Sequence, residues 1–202
     1  MVSVPLYPNP EAWHNHLGEL VALWDVPDDV VKIAVALDHS PNTESTNAEK
    51  ELFTGKKFGI LEEDIWYIHV RFRNNLGWGP TAHYRVAIDT KPPLAFEAVV
   101  DEGETTDNPA PVLRFKTSDA LSGLAEYQVK IDDGDMVHIN AGEFSGSFTL
   151  PLQPPGPHRV LIKALDRAGN SIADSIDLEI LPIPSPSITF IPRSSFRKRK
   201  KD

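Results

Sequence analysis

The chain has 202 residues, 41% of them hydrophobic and 24% charged, with eighteen prolines and no cysteine. That length suits one large domain or two small ones, and the apolar share supports a packed core. The composition excludes a disulfide framework and thiolate metal sites, and so many prolines work against long helices.

The net charge of −9 is unevenly spread, with −6 over 1–90, −8 over 91–182 and +5 over 183–202. An acidic body repels a phosphate backbone, so no nucleic-acid partner is expected for it. The basic run RKRKK (197–201) reads as a solvated end, with nucleic acid or anionic lipid as the alternative. The opening MVSVPLYPNPEAW lacks the basic end and apolar run of a signal peptide. No stretch approaches the roughly eighteen apolar residues that span a bilayer, so no membrane span is expected in this chain. A monomer is expected.

In chain order, EAWHNHLGEL (11–20) has a helical look, limited by Gly18 and the nearby prolines to about one or two turns. Strand signals then dominate. VKIAVALD (31–38) places Ile33, Val35 and Leu37 on one face, IWYIHVRF (65–72) places Ile68, Val70 and Phe72, and HYRVAID (83–89) places Tyr84, Val86 and Ile88. A period of two is what a half-buried antiparallel strand needs. Turn residues separate them at 40–47, 61–64 and 74–80.

DTKPP (89–93) stops the pattern, because a double proline cannot continue a central strand. Strands then resume at 96–100, 111–115, 125–131, 148–152, 158–165 and 173–180. LPIPSPSITFIP (181–192) reads as a second proline-rich linker. Trp13, Trp24 and Trp66 are the expected core anchors before the double proline, and Phe115, Tyr127 and Phe148 those after it.

The two halves repeat. WYIHVRFRNNLG (66–77) overlays HRVLIKALDRAG (158–169), and Tyr84, Val86 and Ile88 match Ile176, Leu178 and Ile180. VALD (35–38) matches VKID (129–132) at a slightly larger offset. A long repeat of this kind means tandem domains. Short strands with turns every 8–12 residues point to two-sheet sandwiches. NNLG and DRAG each offer a side chain that bonds the backbone, then a glycine for positive φ, which closes a hairpin.

At these residues the sequence resembles fibronectin type III and related bacterial immunoglobulin-like domains. Trp66, Ile68, Val70, Phe72, Asn74 and Gly77 follow that family's order of aromatic, alternating apolar positions and Asn-x-x-Gly. LQPPGPH (152–158) is similar to its leucine turn. Trp66 and His158 stand where the family usually has a corner tyrosine. IDTKPP (88–93), DALSG (119–123) and DRAGN (166–170) are similar to phrases in tandem units of large bacterial surface-anchored proteins. The expected fold is therefore all-β, two tandem immunoglobulin-like (fibronectin type III-like) β-sandwiches over 1–90 and 91–182, followed by a Pro-rich linker and basic tail over 183–202. The resemblance implies an extracellular, cell-surface location. It also implies a structural spacer or adhesion role, and the alternatives are a glycan- or protein-binding module using the basic hairpin face of the first unit or an accessory domain of a polysaccharide-degrading enzyme.

If Ile68, Val70 and Phe72 point inward, His69, Arg71 and Arg73 point outward, joined by His83 and Arg85 on the next strand. With Tyr67 and Trp78 nearby, these five form the candidate ligand-binding face, suited to an anionic glycan or the acidic patch of a cell-surface protein. A solvated face balanced by acidic neighbours is the plainer reading. The acidic runs DEGETTD (101–107) and DDGD (132–135), with Asp119 and Asp166, suggest calcium but lack EF-hand spacing. His14 and His16 are too few for zinc. No metal and no cofactor is assigned. Without a G-x-S-x-G elbow, a phosphate loop or a GxGxxG, no enzyme activity is expected.

Overall fold

The computed structural model describes residues 1–183, and the basic run 197–201 lies outside them. No helix occurs among the described residues. The strands form two β-sandwiches in succession, each with its own buried cluster. The first cluster is built from residues between Val2 and Ile88, and the second from residues between Ala98 and Ile180.

In the first sandwich one sheet has the order β1 (Trp13–His14), β6 (Gly77–Ile88), β5 (Asp64–Asn74), β3 (Lys32–Asp38). The other pairs β2 (Glu19–Leu23) with β4 (Gly55–Ile60), and Ser3 bridges to Leu23 at its side. Ile33, Ile68, Val70, Tyr84, Val86 and Ile88 face Leu20 and Ala22 across the core, as the period of two requires.

The second sandwich has β11 (Val137–Asn140), β10 (Leu124–Ile131), β13 (Gly156–Asp166), β14 (Ser171–Ile180) and β8 (Thr105–Thr106) in one sheet. The other sheet holds β12 (Ser147–Thr149), β9 (Val112–Arg114) and β7 (Val99–Val100). Both units begin the same way. The chain first pairs antiparallel with one sheet, at Ser3 or at β7, and then runs parallel to the last strand of the other, as β1 along β6 or β8 along β14. Such a start crosses from sheet to sheet and closes the edge of each. The architecture is the pair of two-sheet β-sandwiches expected from the sequence.

The registers reproduce the repeat. Val35 pairs with Val70, and Val129 with Ile162. The β5-to-β13 offset is therefore 92 and the β3-to-β10 offset 94, which makes Asp38 the counterpart of Asp132.

Several expectations need correction. EAWHNHLGEL forms no helical turn. The Asn9 carboxamide oxygen accepts the Glu11 N–H at 3.0 Å, and His14 joins β1. The turn at 74–80 is shorter than expected, because β6 already starts at Gly77. β2 and β4 carry too little alternation to stand out in the sequence. Trp24 is a core anchor at 4% exposure, but Trp13 lies on the opposite face of its sheet, beneath Arg85, and Trp66 is only partly buried. Phe115 and Tyr127 are buried, while Phe148 is half-buried.

Candidate functional site

The five candidate residues do share a sheet face. His69 pairs with His83, Tyr67 with Arg85 and Arg71 with Thr81, all turned away from the core. Most of this face, however, is occupied by its own contacts. Arg71 Nε donates to the Gly79 carbonyl at 2.7 Å, its Nη1 lies 3.4 Å from Glu44, and its guanidinium sits 5.8 Å from the Trp78 ring. Arg85 donates to the Pro10 and Ala12 carbonyls and stacks over Trp13. These two arginines fasten a loop and the N-terminal segment to the sheet.

His69 is also not the exposed group expected. Its side chain is 0% exposed, with Nε2 3.2 Å from Asp38 Oδ1 and Nδ1 2.7 Å from His83 Nδ1. Burial alone would raise the Asp38 carboxyl, but hydrogen bonds from Ser40, Thr43 and His69 outweigh it and hold the group below the usual carboxylate range. Arg73 and His83 remain exposed on this face. The Thr81 hydroxyl, opposite Arg71, is buried without a hydrogen-bond partner among the described residues.

His14 and His16 pack their rings around Tyr7, at 5.1 and 5.4 Å between centroids. Their Nε2 atoms lie 3.2 and 3.4 Å from the Asn9 and Leu6 carbonyls. Burial pushes His14 below the ordinary imidazole value against the Asn9 bond, helped by His16 and Arg85.

A second constellation lies where the sandwiches meet. Asp89, Asp119 and Asp166 come from DTKPP, DALSG and DRAGN, three phrases far apart in sequence, and their carboxylate oxygens lie within 4.8 Å of one another. Asp89 and Asp166 are buried. Each carboxylate is held by backbone N–H groups. Asp89 accepts from Lys91 and Ser122, Asp119 from Leu121 and Gly123, and Asp166 from Ala168 and Asn170. An all-oxygen set is what a hard cation such as calcium binds, so these are the residues that can hold one. The other acidic runs do not join them.

Asp89 also ties the two sandwiches together. Its carboxylate accepts the Ser122 N–H at 2.9 Å, and its carbonyl accepts the Asn170 carboxamide at 2.8 Å. Its own N–H donates to the His14 carbonyl at 2.9 Å. Beside it, Glu63 accepts from Thr90 and pairs with Lys91 at 2.6 Å, which fixes the start of the linker on the first sandwich. The Lys91 and Thr90 hydrogen bonds hold Glu63 below the usual carboxylate range. Asp119 and Asp166 are among the acidic residues that the sequence allows to gather at a domain end, whereas Asp89 reads there only as the start of the linker.

No helix among the described residues is long and apolar enough to cross a membrane. No protein-family model matches the sequence, and no curated protein matches it. Solved structures do. Fibronectin(III)-like modules of Clostridium thermocellum CbhA align at 12% identity and a TM-score of 0.45, over 90% of this chain and 95% of that one. The FN1–FN3 domains of chicken CNTN1 align at 15% identity and a TM-score of 0.40, over 84% of this chain and 62% of that one. Dimeric latent PorU from Porphyromonas gingivalis aligns at 13% identity and a TM-score of 0.39, over 92% of this chain but 24% of that one.

Proposed function

We propose that the chain is a non-catalytic structural module of a bacterial cell-surface protein, a spacer or adhesion unit placed outside the cell. Residues 1–90 and 91–182 are its two units, and the Pro92–Pro93 linker between them is short and stiff. The observation that carries this reading is the junction at Asp89. A flexible tether would leave that aspartate in solvent, whereas here it is 1% exposed and bonded to both sandwiches. A fixed joint suits a part that transmits force or sets a distance.

Small-angle scattering tests the proposal. The expected profile is that of an elongated rod whose dimensions change little with temperature below melting. Asp89→Ala should broaden the distribution of distances by freeing the joint. A compact particle with the sandwiches side by side, or a wild-type profile already as broad as that of the variant, would overturn the spacer reading.

A second reading is favoured by the exposed Arg73 and His83. These give the outer face of the first sheet the means to grip an anionic glycan or an acidic patch of a partner protein. Arg71 and Arg85 serve the fold, so the informative variants are Arg73→Ala and His83→Ala. Binding on an acidic-glycan array that both variants abolish supports a ligand face, and binding unchanged in both removes it.

A further inference from the structure

On the outer face of the first sandwich, two imidazoles meet nitrogen to nitrogen at 2.7 Å, with ring planes at 75° and centroids 4.9 Å apart. Such a contact holds only if one ring presents a proton and the other a lone pair. Asp38 decides which does which. Its carboxylate accepts the Nε2 proton of His69, which leaves His69 Nδ1 as the lone pair and His83 Nδ1–H as the donor. The order is Asp38, His69, His83, across β3, β5 and β6.

The ionisable groups facing the pair are Asp38 from β3, Glu44 from the loop after it, Tyr67 and Arg71 along β5, and Arg85 on β6. The N-terminal segment packed beside His83 lines a groove from Met1 to Pro10, and the ionisable group it contributes to that lining is the Met1 α-amino group. The groove has a volume of about 540 Å³, and His83 forms part of its wall.

We propose that Asp38, His69 and His83 form an acid-sensitive latch that holds the His83 ring against the sheet. The proton count sets its behaviour. The neutral pair carries two ring protons, one on His69 Nε2 and one on His83 Nδ1. A third proton goes to His83 Nε2, the N–H···N bond survives, and the single charge is balanced by Asp38. A fourth must go to His69 Nδ1. Both facing nitrogens then carry hydrogen, two positive charges lie together, and the contact cannot hold. His69 is enclosed, so His83 is the ring that leaves, and it carries its charge to the mouth of the groove.

Ring-nitrogen and amide NMR from pH 8 to pH 4 tests this in the wild type, His83→Ala and Asp38→Asn. In the wild type His69 should show a single Nε2-protonated tautomer at neutral pH, with scalar coupling to His83 across the shared proton. At the acid end that coupling should vanish. Protection of the Ala82–Tyr84 amides should fall together with it, by about tenfold or more. His83 is exposed, so His83→Ala should fold normally and lack the acid step. Asp38→Asn, which removes the balancing charge and so makes each added proton harder to hold, should move the step to lower pH. Two rings that titrate independently with mixed tautomers would overturn the latch, as would an acid step of equal size in His83→Ala.

Discussion

The two sandwiches solve one problem with different residues. At the corner before the long strand of each, a side chain must tie the turn back to the sheet. In the first unit the Trp66 indole N–H donates to the Glu62 carbonyl at 3.0 Å, and in the second the His158 ring bonds the Pro154 carbonyl at 2.9 Å. Both reach back four residues, and a corner tyrosine in immunoglobulin-like sandwiches likewise bonds the backbone a few residues upstream. The position therefore demands a flat ring with a donor at its far edge, and a phenol is only one way to supply it. The two rings differ in their response to pH. An indole keeps its proton at any ordinary pH, whereas an imidazole titrates.

The largest expected effect tests whether the two cores are independent. Trp24 is buried, and its Nε1 donates to the Phe53 carbonyl at 2.8 Å. Trp24→Ala should cost about 3–5 kcal/mol. That loss should fall mainly on the first unit's unfolding transition, followed by chemical denaturation. A near-wild-type midpoint, or an equal shift of the second transition, would remove Trp24 as the anchor of a separate core.

Asp89→Ala probes the contact between units. It leaves the buried Ser122 N–H without its acceptor, at a cost of about 1–3 kcal/mol, offset in part by relief of crowding among three carboxylates. The expected result is a loss of coupling between the two melting transitions in calorimetry. Transitions that stay coupled would place the joint elsewhere.

The repeated hairpin turns give a matched pair of smaller effects. Gly77 has φ of 133° and Gly169 of 92°, and a Cβ on either meets nothing closer than Asn15 Nδ2 at 3.7 Å from Gly169. The penalty for alanine is thus one of backbone conformation, about 1–2 kcal/mol at each site. Equal losses in the two units, read from denaturation midpoints, would show that both turns are held alike. A much larger loss at Gly169 would mean that its turn, near Asn15, is also held by the neighbouring unit.

The repeat explains which parts of the molecule could be read from sequence. β3, β5, β6, β10, β13 and β14 alternate over long runs, so their inward residues were legible down to Ile68, Val86 and Ile162. β2 and β4 were not, because ELVAL and GKKFGI are short and β2 comes after a segment with helical spacing. The candidate face was legible as a face. Alternation says which way His69 points, but not that Asp38 and His83 take up both of its ring nitrogens. The aspartate junction shows the same limit from the other side. Each turn has a local signature, while the meeting of Asp89 with Asp119 and Asp166 depends on contact between the two sandwiches.

The smallest effect returns to the corners. His158 offers both ring nitrogens to acceptors, Nδ1 to Asp132 at 2.7 Å and Nε2 to Pro154, so it carries two protons and a charge. Its pKa is raised first by the Asp132 bond, then by the Pro154 carbonyl, against burial. Asp132 is lowered first by the Arg159 N–H, then by His158. A raised imidazole stabilises fully below its unfolded value of about 6.5 and loses that contribution as pH climbs through the folded value. A depressed carboxylate stabilises above about 3.9 and loses it as pH falls through the folded value. The pair therefore helps the second unit most between about pH 4 and 6.5, and less as the solution becomes alkaline. Asp132 is 44% exposed, so solvent screens the pair and the slope is shallow. His158→Tyr keeps a donor at the corner without the charge. From pH 6 to 9 the wild-type second unit should lose melting temperature relative to this variant, while the Trp66 corner adds no such slope to the first. Parallel curves for wild type and variant would mean that His158 acts through shape alone.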